Sequence, residues 1–276
     1  MTSLITRVIS ALTATIIILI SYYFFELNAL KVLCFVAVSL GTRELLRLLF
    51  EPKESVSLRA LCSVLVLAIF SISSFFPEWS ALCFSLGSIL FVSCAMVYSK
   101  RFDDLQSLSL FASKSILGFF YLGLLPSYAF RLLLLPHGLV WFVGMLAIVF
   151  AGDTFAYIFG ILWGKKKMLP LISPKKTIMG SFGGLFGSML AGIGIAFWLK
   201  SDSYLFFLLL SLVTGITAQL GDLFESLLKR VANKKDSGSI MPGHGGVLDR
   251  LDGVFFAAPI VLAGAEIFGK FFQSLL

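Results

Sequence analysis

Charge is scarce in this chain: 13% of its 276 residues are Asp, Glu, Lys or Arg, against 58% that are hydrophobic. That balance excludes an ordinary soluble domain, because the apolar runs are too long for a soluble core. Histidine is scarcer still, with only His137 and His244. The four cysteines, Cys34, Cys62, Cys83 and Cys94, lie in apolar segments with no Cys-x-x-Cys pair. Zinc ligation and disulfides are thereby disfavoured, and the cysteines read as small hydrophobic residues in helix packing. Neither a G-x-x-x-x-G-K-[ST] phosphate loop nor a G-x-G-x-x-G dinucleotide fingerprint is found. No small-x-small cleavage site follows the first apolar run, which continues into aromatics at Tyr22–Phe25 and is expected as a retained helix. Internal repeats and low-complexity tracts are also missing.

What is there is a succession of apolar runs, near 8–25, 28–42, 60–76, 80–98, 115–135, 138–160, 180–199, 203–228 and 252–274. A bilayer needs about 20 apolar residues per helix, so most of these suffice and the second is short. Lipid offers no partner to backbone N–H and C=O groups, and runs without strand-type alternation therefore predict helices, not a barrel. The expected fold is all-α: a polytopic membrane bundle of about nine transmembrane helices, with eight as the alternative if the short run does not cross. A single integral membrane domain over 1–276 is expected. Its N-terminal helices, 1–135, have no assigned role, and residues 138–276 carry the catalytic helices and loops.

Loop charge gives the orientation. The N-terminus and the loops after helices 2, 4, 6 and 8 hold 18 of the 22 basic residues, leaving Lys31, Arg131, Lys200 and Lys270 on the other side. Basic loops stay cytoplasmic, which predicts a cytoplasmic N-terminus. The same asymmetry explains the net charge of +7 without nucleic acid, and suits anionic membrane lipid.

Charges inside membrane helices cost roughly 2.5–3.5 kcal/mol each on insertion scales, so each requires a reason. Asp153 sits near the end of the sixth run, with Tyr157 at i+4 on the same face. Asp222, Ser226 and Lys229 form a stripe down the eighth run. Glu225, on the same helix, is expected as a spare interfacial acid. Asp249 and Asp252 are three apart at the start of the last run, where acids also suit a helix N-terminus. Two loop motifs accompany these groups, one before the seventh run and one before the last. Ser173-Pro174-Lys175-Lys176-Thr177 precedes a glycine-rich helix start, where ammonium groups and free N–H groups both favour phosphate. Gly180, Gly184 and Ser188 at four-residue spacing would admit a close helix neighbour, and permit a homodimer. Pro242-Gly243-His244-Gly245-Gly246 cannot be helical and reads as a shaped turn. Oxygen ligands Asp222, Asp249 and Asp252 suit Mg²⁺ better than zinc.

The run from Ser226 to Asp252 resembles the phosphatidate cytidylyltransferase (CDP-diacylglycerol synthase) family. The signature S-x-x-K-R-x4-K-D, a small residue, then P-x-H-G-G-x-x-D-R-x-D falls on Ser226, Lys229, Arg230, Lys235, Asp236, Gly238, Pro242, His244, Gly245, Gly246, Asp249, Arg250 and Asp252. The likeness extends to the helix from Asp153 to Gly160 and to Ser173–Thr177. Two positions depart from it: Met179, where an acid is expected, and Met241, where Leu, Ile or Phe is preferred. The resemblance implies CMP transfer from CTP to phosphatidic acid in a bacterial inner membrane, with the site facing the cytoplasm. It further implies Asp222 and Asp249 on Mg²⁺ with Asp252 as a third ligand, and a second cation as an option. Lys229 and Arg230 would stabilise phosphate charge, Ser226 would orient a phosphate, and His244 would position substrate. Arg250 falls within the catalytic signature. Substrate contacts would come from Asp153, Tyr157, Ser173, Lys175, Lys176, Thr177, Lys235, Asp236, Gly245 and Gly246. Rival readings are transfer to another lipid acceptor and an ion-coupled transporter.

Overall fold

The structure, a computed structural model, describes residue 13 and residues 16–50, 56–238, 240 and 245–271. His244 and the rest of the Pro242–His244 turn, and the basic residues Arg7 and Lys53, lie outside them. The described chain is almost wholly helical: α1 (Ile16–Phe25), α2 (Leu27–Leu49), α3 (Val56–Phe75), α4 (Ser80–Val97), α5 (Leu105–Gly118), α6 (Leu125–Leu132), α7 (Gly138–Trp163), α8 (Ile178–Trp198), α9 (Tyr204–Val231) and α10 (Leu248–Phe271). Among the described residues, seven helices are long and apolar enough to cross a membrane, starting from α3 and counting α5–α6 as one. The fold class is thus all-α and polytopic, as expected.

Two boundaries differ from expectation. The second run was expected to end near residue 42, but α2 continues to Leu49 and carries Arg43, Glu44 and Arg47 on its last turns. These residues are good helix formers, and the helix end is held from outside. Lys114 Nζ donates to the Leu49 carbonyl at 2.7 Å and Lys234 Nζ to the Arg47 carbonyl at 2.5 Å. Cations there complement the carbonyl end of a helix. The fifth span begins ten residues earlier than expected, at Leu105, where Asp104 and Ser107 form a reciprocal capping box. A π-helical turn, Phe119–Leu124, then joins α5 to α6.

The chain divides into two compact units. One contains the described residues up to Phe130 together with Val231–Arg250; the other contains Arg131–Arg230 and the described residues from Leu251 onward. In the first unit, Val38, Phe70 and Phe130 form a buried cluster with Phe35, whose ring meets Phe70 edge-on at 4.9 Å. In the second, α7 and α8 lie against each other through small residues. Gly184 of α8 stands at the backbone of Gly152, and Ser188 Oγ donates to the Ile148 carbonyl at 3.0 Å. The Gly180–Ser188 face is therefore taken up within the chain.

A short antiparallel hairpin, β1 (Lys167–Leu169) and β2 (Ser173–Thr177), connects α7 to α8. The lysine motif that was expected as loop is thus a strand. Thr177 ends the strand and caps α8, its hydroxyl accepting from the Gly180 N–H at 3.1 Å.

Candidate active site

Helix α9 has 28 residues, about 42 Å at 1.5 Å per residue, and so outruns a hydrocarbon core of about 30 Å. Its polar stripe starts at Asp222, about 27 Å from the first residue, in the last third of the helix. Acids that would be costly at mid-membrane thus lie toward one end of the helix.

A cavity of about 510 Å³ opens there between α7, the hairpin, α8 and α9. Asp153 and Tyr157 line it from α7, Lys175, Lys176 and Thr177 from β2, and Asp222 from α9. Six of the residues selected from sequence are thereby brought to one place. Lys176 Nζ lies 2.7 Å from Asp222 Oδ2, with both side chains partly exposed. Ser226, one turn further along α9, directs its hydroxyl to Asp222 Oδ1 at a long 3.5 Å. Gln219 ties α9 to α8, its amide donating to the Ser181 carbonyl at 3.0 Å. On α10, half-buried Asp252 senses the charges of Asp222, Asp153 and Lys229. The close crossing of α9 and α10 brings this about, since Gly221 leaves no side chain against the Asp252 carbonyl. Lysines face carboxylates across this cleft, an arrangement that accepts both phosphate and the cations that accompany it.

Other predicted residues fall beside the cleft. Ser173 opens β2, half-buried. Arg230 Nε donates to the Ile172 carbonyl at 3.2 Å and so fastens the hairpin. Lys229 pairs with Glu225 one turn away. Glu225 is fully buried, which corrects its reading as a spare interfacial acid. A buried carboxylate needs a counter-charge, and Lys229 supplies it.

Asp249 and Gly246 of the signature form a network with Ser237 in the first unit. Asp249 Oδ2 accepts from the Ser237 N–H at 2.9 Å, the Ser237 hydroxyl at 2.8 Å and the Gly246 N–H at 2.8 Å. Gly245 has φ +85°, which bends the chain so that Gly246 can face Asp249. Lys235, Asp236 and Arg250 are exposed. Sequence reasoning missed Ser237 and Glu44, which meet in this network. Glu44 is 1% exposed and accepts from the Val247 N–H at 3.1 Å and the Leu248 N–H at 2.9 Å. The available signal was an acid within an apolar helix, flanked by arginines.

For a divalent ion, the donors present are of the right kind: carboxylate oxygens, with a lysine ammonium supplying the positive charge against Asp222. Among the described residues, no three His, Cys, Asp or Glu side chains gather at ligating spacing.

Apolar spanning helices that end in a lysine-and-carboxylate cleft define a membrane protein built to handle phosphate groups. A profile described as the cytidylyltransferase family matches residues 5–268. The chain belongs to that family. Among curated relatives, a phosphatidate cytidylyltransferase of Staphylococcus epidermidis is 34% identical over 237 residues, covering 84% of this chain and 88% of the relative. One from Synechocystis is 41% identical over 177 residues, 54% of this chain and 60% of its own length. One from Staphylococcus haemolyticus is 38% identical over 175 residues, 63% of this chain and 65% of its own.

Proposed function

We propose that the protein transfers CMP from CTP to phosphatidic acid, forming CDP-diacylglycerol and pyrophosphate. The observation that carries this is the cleft of Asp153, Tyr157, Lys175, Lys176 and Asp222 at the end of membrane-length helices. One substrate is a water-soluble triphosphate and the other a lipid phosphate, so the reaction belongs where hydrocarbon gives way to water. An oxygen of the lipid phosphate bonds to the α-phosphorus of CTP, the α–β bridging bond breaks, and pyrophosphate leaves with the bonding electrons. The nucleophile is already anionic near neutral pH, so alignment and charge neutralisation matter more than a general base.

Lys175 and Lys176 hold the triphosphate or the lipid headgroup, and Lys229 and Arg230 add positive charge at the end of α9. Ser226 orients a phosphate and His244 contacts substrate. Asp222 and Asp252, at the α9–α10 crossing, are the carboxylates that would hold Mg²⁺, with Asp249 as a further candidate; the ion's chemistry when bound is to screen phosphate charge and polarise the α-phosphorus. Lys176 would release Asp222 as it turns to phosphate. Lys235, Asp236 and Arg250, exposed beside the Asp249 network, would contact substrate from the signature segment. The loop-charge asymmetry supports a cytoplasmic site in a bacterial inner membrane, with the N-terminus inside and nine crossings. A homodimer would need a surface other than the Gly180–Ser188 face.

Purified protein given CTP, Mg²⁺ and a panel of acceptors tests the reading. Phosphatidic acid should yield a CDP-lipid, while an isoprenoid alcohol or another lipid phosphate should not. Turnover confined to one of those other acceptors would overturn the assignment of phosphatidic acid.

A further inference from the structure

We infer that Glu44, on α2, is a positioning residue for Asp249. The inference rests on the proposed reaction for its kinetic consequence and on geometry for the rest. Glu44 is buried, and a carboxylate removed from water needs compensating donors. It finds them at the start of α10: Oε1 accepts from the Val247 N–H at 3.1 Å and Oε2 from the Leu248 N–H at 2.9 Å. These amides have no partner within their own helix, and the positive end of the helix dipole adds to the attraction. A residue 203 positions upstream thus performs the capping that a neighbouring side chain usually performs.

Ser237 links this cap to Asp249. Its hydroxyl stands 2.8 Å from Asp249 Oδ2 and 3.3 Å from Glu44 Oε2. A hydroxyl carries one proton, so the shorter contact to Asp249 is the donated bond. Glu44 fixes where α10 begins, and Asp249 lies in the first turn of that helix. Three donors from the Ser237 and Gly246 segments then set the rotation of the Asp249 carboxylate.

The same arrangement accounts for two small residues of the signature. A Cβ on Gly238 would strike Glu44 Oε1, and one on Gly246 would strike Glu44 Oε2 and Ser237 Oγ. Both collisions would push the carboxylate off the helix end. Gly238 and Gly246 are small because Glu44 needs the space.

The test uses purified full-length protein with Glu44→Gln, Glu44→Asp, Ser237→Ala and the Glu44→Gln/Ser237→Ala pair. Glutamine keeps the shape but turns one acceptor into a donor that faces a backbone N–H. The expected result is a loss of kcat of about 10- to 100-fold in Glu44→Gln, with KM for CTP within about threefold. Ser237→Ala should lose less, and the double variant should lose less than the product of the singles. Amide hydrogen exchange at Val247 and Leu248 should speed up in Glu44→Gln while the α7–α8 amides keep wild-type rates. If Glu44→Gln does not fold, Glu44→Asp and Ser237→Ala carry the same comparison on folded protein. A folded Glu44→Gln with wild-type kcat and unchanged exchange overturns the inference, as does loss of Tm with unchanged kcat per folded molecule. A wild type without CMP transfer would instead overturn the proposed reaction, and the exchange measurement would still decide the cap.

Discussion

Asp222 and Asp249 are held in opposite ways. Asp222 faces a lysine ammonium on a mobile four-carbon stem, partly exposed to solvent. Asp249 is gripped by two backbone amides and a hydroxyl, from Ser237 and Gly246. An ammonium can leave when a better cation or a phosphate arrives; a backbone amide cannot without the chain refolding. The first carboxylate is therefore exchangeable and the second fixed.

The largest expected effects come from removing either charge. Asp249→Asn and Asp222→Asn should each lower kcat by about a thousand-fold or more, roughly 4 kcal/mol of transition-state stabilisation. Both proteins should still insert and elute as wild type. Wild-type-like synthesis of CDP-lipid by either variant would contradict its assignment.

The next effect separates the two environments. Lys176→Met removes the exchangeable partner of Asp222 and one ammonium of the cleft. The expected loss in kcat/KM for CTP is about 10- to 100-fold, two charge-assisted contacts being worth a few kcal/mol at most. Equal loss in Lys175→Met and Lys176→Met would show that only cleft charge matters, and would remove the contrast. On the fixed side, Gly246→Ala should cost about tenfold in kcat, because the added methyl collides with Glu44 and Ser237. Steady-state kinetics together with thermal unfolding distinguishes displacement of Asp249 from global loss of structure.

The smallest effect is expected at Met179, the position that departs from the resemblance. Its side chain is 41% exposed in the first turn of α8 and does not line the cleft. Met179→Glu should leave turnover within about twofold, with stability raised by about 0.3–1 kcal/mol through the helix dipole. A large gain in activity would mean that the cleft extends to α8's exposed face.

Local pattern made most of the exchangeable region legible. Asp153 and Tyr157 share a helical face, Lys175 and Lys176 stand beside a helix start, and Asp222 heads a polar stripe; these are relations of a few residues. The fixed region was legible only as a motif. Asp249, Gly245 and Gly246 could be singled out from turn chemistry and resemblance, but their partner Glu44 lies about two hundred positions away. No periodicity reports such a contact. The end of α2 was misjudged for a related reason: hydropathy falls at Arg43, Glu44 and Arg47, while the helix is sustained by Lys114 and Lys234 from elsewhere. Burial of Glu225 was equally hidden, since an acid paired at i+4 with lysine looks the same in sequence whether it faces water or not.

The reaction proposed for this cleft is nucleotidyl rather than phosphoryl transfer. Parallel reactions with CTP labelled at the α-phosphate and at the γ-phosphate, each with phosphatidic acid and Mg²⁺, test it most directly. With nucleotidyl transfer the α label enters the organic phase while the γ label stays in water as pyrophosphate. Entry of the γ label into lipid, or of neither label with folded protein, would contradict it.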